Sequence, residues 1–129
     1  MKKETQENYL RLIFELENGG GVRNIDLARK LNVAKASVFE ILRKLRKLGF
    51  VELKKYGKIF LTKKGKVYGE KHFDRHFIIR DFVKKYLNLS HEDAINEACK
   101  LEHSFSDDSF IKIKNLVRGN EMPNPGYVG

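Results

Sequence analysis

Three residue types that bind transition metals stand at positions i, i+3 and i+4 in the run Cys99-Lys100-Leu101-Glu102-His103. On a helix this spacing brings a thiol, a carboxylate and an imidazole to one face, near enough to converge on a single ion. A mixed sulfur, oxygen and nitrogen set suits a divalent first-row transition metal, whereas calcium and magnesium prefer all-oxygen shells. In a reducing compartment iron(II) is favoured, with manganese, cobalt, nickel or zinc as alternatives. The other reading of these residues is structural: a small buried thiol, a carboxylate paired with Lys100, and a surface histidine. Cys99 is the single cysteine of the chain, so it forms no intramolecular disulfide and is a buried thiol, a reactive thiol or a ligand.

The elements that must position this cluster occupy 129 residues, 41% of them hydrophobic, enough for one ordinary domain or two small ones sharing a core. No stretch approaches the roughly 18 apolar residues of a membrane span, and the opening Met1-Lys2-Lys3-Glu4-Thr5 turns polar where a signal peptide turns apolar. A cytoplasmic protein without a membrane partner is expected. The net charge of +9 is concentrated: residues 35–71 hold 12 Lys or Arg against only Glu40, Glu52 and Glu70, and the remainder holds 14 of each sign. A basic block with apolar residues at regular intervals is the footprint of a nucleic-acid-binding surface; a lysine-rich face kept for solubility is the alternative.

Apolar residues at Tyr9, Leu10, Leu12, Ile13, Phe14 and Leu16 predict an amphipathic helix over 4–17, stopped by Gly19 to Gly21. A second helix is expected over 24–31, with Asn24 as N-cap and Ile25, Leu27, Ala28 and Leu31 inward. The third, over 35–48, turns Val38, Ile41, Leu42, Leu45 and Leu48 to one side and stops at Gly49. Two strands, 50–54 and 58–62, follow around a tight turn at Tyr56-Gly57. Three helices and a basic hairpin, with a short turn between the second and third helices, are the order of a winged helix-turn-helix.

In that arrangement the third helix enters the major groove and the hairpin lies along the phosphates. Lys35, Ala36, Ser37, Phe39, Glu40 and Arg43 are the expected groove-facing residues, and Lys54, Lys55 and Lys58 the phosphate contacts, joined by Lys63 and Lys64. Ala36 and Phe39 can pack on thymine methyls, although the phase of Phe39 also fits a core aromatic. Glu40 either accepts from a cytosine amino group or pairs with Arg43 or Lys44.

Beyond Gly65 a long helix to about residue 87 carries Val67, Phe73, Phe77, Ile78, Phe82, Val83 and Leu87 on its apolar side. Ser90 and Asp93 form a capping-box pattern that opens a helix through Ser104, and a last helix over 107–118 carries Phe110, Ile111, Ile113, Leu116 and Val117 before Gly119. So few helices cannot bury so many large side chains alone, and a homodimer presenting two recognition helices to palindromic double-stranded DNA would resolve this. The segment Pro123-Asn124-Pro125-Gly126 reads as a turn-rich tail. The expected architecture is mainly α with a small β-hairpin. Residues 1–64 form a winged helix-turn-helix, 65–119 a helical domain and 120–129 the tail. No nucleophile motif, phosphate-cradling glycine loop or second acid–base constellation is visible, so neither an enzyme nor a small-molecule substrate is expected.

The order of elements, the opening Asn8-Tyr9-Leu10-Arg11, and Glu97-Ala98-Cys99-Lys100-Leu101-Glu102-His103 followed by Ser106-Asp107 resemble the diphtheria toxin repressor family of iron- and manganese-dependent transcriptional regulators. The resemblance covers nearly the whole chain. It implies a C-terminal metal-binding and dimerisation domain, a metal acting as corepressor at metal-uptake genes, and a primary site of Cys99, Glu102 and His103. Asn8 falls where the first helix of the family lends a ligand, usually methionine in iron-type members and aspartate in manganese-type ones. His76 matches a histidine on the family's connecting helix; taken alone it can equally be structural. The iron-type ancillary site also uses a carboxylate where Arg80 stands and a histidine where Ile95 stands, and the manganese-type paired site uses carboxylates where Arg11 and Cys99 stand. In larger family members a proline-rich link leads to a third, SH3-like domain, and the tail here resembles that link. His72 and His91 read as surface residues. The competing function is a winged-helix regulator that is metal-independent or responds to oxidation of Cys99.

Overall fold

The computed structural model describes residues 1–119; the proline-containing tail expected at 120–129 lies outside them. The described chain forms α1 (Lys3–Leu16), α2 (Asn24–Leu31), α3 (Lys35–Lys47), β1 (Val51–Leu53), β2 (Ile59–Leu61), α4 (Lys63–Tyr86), α5 (His91–Leu101) and α6 (Asp107–Arg118). Two compact units divide inside α4, one spanning Met1–Phe73 and the other starting at Asp74. The expected class, mainly helical with one small hairpin, is the observed one.

In the first unit, helix ends follow from residues able to take the left-handed backbone. Asn32 (φ 54°) ends α2, and Gly49 (φ 83°) ends α3. At the second of these the amide of Gly49 bonds the carbonyl of Arg46 and the amide of Phe50 that of Leu45, both at 3.0 Å. This paired closure satisfies carbonyls that a bare helix end would leave open and aims the chain into the hairpin. The strands pair antiparallel in the register Val51↔Leu61 and Leu53↔Ile59. Their connection is a single tight turn over Lys55–Gly57, in which Tyr56 and Gly57 both take positive φ. Val22 pairs with Ile59 through two 2.8 Å backbone bonds, tying the chain before α2 to the hairpin. Leu10, Ile13, Leu27, Val38, Leu42, Leu45, Val51 and Ile59 make the core. Each such side chain contributes about 1.5–3 kcal/mol.

In the second unit, Ile79, Val83, Ala94 and Ala98 form one cluster and Ile78, Ile113 and Val117 another, with Phe82, Phe105 and Phe110 packed against both. The hydroxyls of Ser90 and Ser106 each accept a 3.1 Å bond from the amide three residues on and so start α5 and α6. Such caps contribute about 1 kcal/mol apiece.

Several local expectations change. Asn24 is the first residue of α2 rather than its cap, and its side-chain amide instead donates to the carbonyl of Lys35 at 3.4 Å. Leu48 is exposed: it lies one residue past the end of α3, where the inward stripe of Val38, Leu42 and Leu45 has stopped. On α4 the face turned to the first core runs through Gly65, Tyr68, Gly69 and His72, which leaves Val67 68% exposed. Leu87, past the end of α4, is exposed too, as are Ile111 and Leu116 of α6. His72 is not a surface residue: it is 7% exposed, and its Nε2 lies 3.4 Å from Oε2 of Glu7, itself buried. His91 is exposed.

Candidate metal centre and nucleic-acid interface

α5 stops at Leu101 instead of running through Ser104, so Cys99 sits in its last turn while Glu102 and His103 lie in the turn that follows. Glu102 keeps a helical backbone (φ −59°, ψ −27°), and its amide still bonds the carbonyl of Ala98 at 3.0 Å. The i, i+3 relation between Cys99 and Glu102 therefore survives the end of the helix. Facing them from α4 is His76. One donor atom each from His76, Cys99 and Glu102 lies within 4.8 Å of the others.

His76 and Glu102 are almost wholly buried and Cys99 half-buried. His76 Nδ1 lies 3.1 Å from Glu102 Oε2. His103 stands beside the trio, its Nε2 3.4 Å from Glu102 Oε1. Asn8 belongs to α1 of the first unit and is half-buried. Ligand atoms at about 2.0–2.3 Å from a tetrahedral ion stand about 3.3–3.8 Å apart. The trio therefore fits a transition metal after closure by up to about 1 Å, and buried ionisable groups are stable when paired or coordinating. His76, which matched the family's connecting-helix histidine, is thus grouped with Cys99 and Glu102. No sequence spacing could have shown this, because the approach is made by packing α4 against α5.

On the first unit, Val38, Leu42 and Leu45 anchor α3, and the opposite side carries Lys35, Ala36, Ser37, Phe39, Glu40 and Arg43, all exposed. Phe39 is 51% exposed and takes no part in the core. Glu40 pairs with Arg43 at 3.6 Å, both side chains remaining more than half exposed, an arrangement that contributes little to stability. In the hairpin, Lys54 and Lys55 are exposed and Lys58 half-buried. Lys54 Nζ lies over the Phe60 ring at 4.8 Å and near Glu52 at 3.8 Å. Lys64 is differently engaged: its ammonium donates to the carbonyl of Leu48 at 2.9 Å and lies over the Phe50 ring, capping the end of α3.

Residues 1–59 match the family described as iron dependent repressor, N-terminal DNA binding domain, and residues 62–122 match iron dependent repressor, metal binding and dimerisation domain. An uncharacterised helix-turn-helix transcriptional regulator of Methanocaldococcus jannaschii is 37% identical over 110 residues, covering 84% of this chain and 88% of its own. The transcriptional regulator MntR of Lysinibacillus sphaericus is 31% identical over 129 residues, covering 99% and 91%. Among solved structures, the manganese regulator SloR superposes with a TM-score of 0.76 at 29% identity over 88% of this chain. A manganese-dependent transcriptional repressor in complex with manganese gives 0.77 at 25% identity over 87%. The chain spans about half the length of these two solved chains.

Proposed function

The chain belongs to the iron-dependent repressor family, and from that membership we propose that it is a cytoplasmic, metal-dependent transcriptional repressor whose homodimer binds a palindromic operator. The observation that carries this reading is the buried set of His76, Cys99 and Glu102 inside the segment that matches the metal-binding domain. His103 completes the proposed ligand set of this unit. The exposed face of α3 supports direct reading of bases by Phe39, Ser37 and Glu40, with Lys54, Lys55 and Lys58 on phosphates. Ile111, Leu116, Tyr86 and Leu87, each near half exposed or more, supply apolar surface for a second copy.

Iron(II) is the favoured ion. SloR is described as a manganese regulator, yet a thiolate among the donors moves preference away from manganese(II), the weakest binder of the first-row series. When bound, the ion ties α4 to the end of α5. The repressor works by linkage: the metal-loaded form and the DNA-competent form favour each other by the same coupling free energy. His76 and Glu102 hold one another in the arrangement the ion requires, which lowers the ordering cost of binding.

The test is a titration of the reduced protein with iron(II), then with manganese(II), reading the anisotropy of a labelled duplex selected from a random pool at fixed salt. A chelator-reversible rise in affinity, larger for iron(II), is expected. Affinity that neither metal nor chelator moves would replace this reading with the metal-independent one.

A further inference from the structure

Arg75 precedes His76 on α4 and is buried, 6% exposed. Its Nε donates to the carbonyl of Glu102 at 2.8 Å, one terminal nitrogen donates to Asp107 Oδ1 at 3.1 Å, and the other donates to the carbonyl of Phe105. The guanidinium lies over the Phe110 ring, 5.0 Å from its centre. Glu102 is therefore gripped twice by consecutive residues of α4, its carboxylate by His76 and its backbone by Arg75. In an unbroken helix the carbonyl of Glu102 would accept from the amide four residues on. Here Ser106 begins α6 as its cap, and the guanidinium takes that carbonyl and the one at Phe105. The planar fork of arginine can serve several acceptors at fixed angles, which the single ammonium of lysine cannot.

We propose that Arg75 is a positioning residue for the metal centre: by holding the carbonyls of Glu102 and Phe105 and the carboxylate of Asp107, it fixes the turn between α5 and α6 so that the Glu102 carboxylate faces His76 and Cys99. The proposal rests on the metal-site reading above. Arg75 is not one of the proposed ligands, and acts through Glu102.

The experiment is an anaerobic cobalt(II) titration of the full chain, following the thiolate-to-cobalt charge-transfer absorption and the affinity by chelator competition. R75K and R75M are compared with D107N, whose side chain is 80% exposed, and with I113V as a packing control that leaves every polar group of the fork in place. Both Arg75 variants are expected to keep their helical circular dichroism and to lose at least about tenfold in cobalt affinity, with an altered ligand-field spectrum. D107N is expected to lose a few-fold, and I113V to lower Tm while leaving the spectrum unchanged. Folded R75K and R75M with the wild-type spectrum and affinity overturn the proposal, as does a loss no greater than that of I113V. Should both Arg75 variants fail to fold, wild-type affinity in D107N overturns it and a few-fold loss upholds it. A wild-type protein without the charge-transfer band would instead sink the metal-site reading itself, a failure visible before any variant is compared.

Discussion

His76 Nδ1 stands 3.1 Å from Glu102 Oε2 with both side chains almost fully buried, so an imidazole from one helix and a carboxylate from the turn after another share a buried contact. Cys99 completes this trio, and His103 meets the same carboxylate at its other oxygen. The expected order of loss in metal affinity follows. His76→Ala and Glu102→Gln each cost at least about tenfold by isothermal titration, while His103→Ala costs less, because this proposed ligand stands beside the trio rather than within it. Cys99→Ser abolishes the thiolate-to-cobalt absorption outright. A His103→Ala variant that loses more than His76→Ala would show that the site closes around His103 instead.

The exposure of Phe39 separates stability from recognition. Its truncation to alanine is expected to move the unfolding free energy by no more than about 0.5 kcal/mol. It should nevertheless weaken binding to the selected duplex by about 1–3 kcal/mol, with an unchanged slope of log affinity against log salt. Lys54→Ala should do the reverse, lowering that slope by about one unit and weakening all duplexes alike. Anisotropy at several salt concentrations distinguishes the two; an altered slope in Phe39→Ala would remove it from the base-reading face.

The fold was legible in the sequence wherever its signals are local. Gly49 ends a helix through its own backbone freedom, and Ser90 caps one three residues away, so neither needs knowledge of distant packing. What was illegible depends on pairs far apart in the chain. Val22 joins the hairpin because Ile59 offers its edge there, and His72 is buried because α4 lays it beside Glu7. The metal cluster falls between these cases. Cys99 and Glu102 could be read from helical spacing, whereas the place of His76 among them, and the hold of Arg75 on the turn, exist only once α4 and α5 pack.

Two glycines of the first unit differ in what an added methyl would meet. At Gly49 a Cβ would find no atom within 4 Å, so Gly49→Ala costs only the left-handed backbone, about 1 kcal/mol. At Gly65 the same atom would lie 2.0 Å from the carbonyl oxygen of Phe50, a backbone group that cannot swing aside. Gly65→Ala is therefore expected to be the more damaging by several kcal/mol in urea unfolding. Equal losses would mean that the close approach of α4 to Phe50 is not maintained.

Burial raises the phenol of Tyr9 above its ordinary value of 10.0. It raises that of Tyr68 as well, with the charge of Glu7 adding to the effect and a hydrogen bond from Gln6 opposing it. The unfolded chain then gives up these protons first. Their contribution to stability is complete below about pH 10 and is lost as pH rises through the higher folded-state values. The urea midpoint should fall across that alkaline range, and less steeply in Tyr9→Phe and Tyr68→Phe, while absorbance near 295 nm shows two phenols ionising late. Wild-type slopes in both variants would assign the alkaline loss to other groups.

Glu7 and His72 form a buried carboxylate–imidazole contact of the first unit, 3.4 Å apart. Its worth can be isolated because each residue can be truncated alone and both together. Glu7→Ala or His72→Ala removes one side of this buried contact and is expected to cost about 3 kcal/mol. Once one is gone, removing the other takes away no further part of the contact, so the double variant should lose less than the sum, with a coupling of about 0.5–3 kcal/mol. The same cycle applied to Arg11 and Glu15, 3.5 Å apart but with Glu15 open to solvent, should give a smaller coupling. Strictly additive losses at Glu7 and His72 would mean that each is held by other neighbours, and that their closeness contributes nothing to docking α4 onto α1.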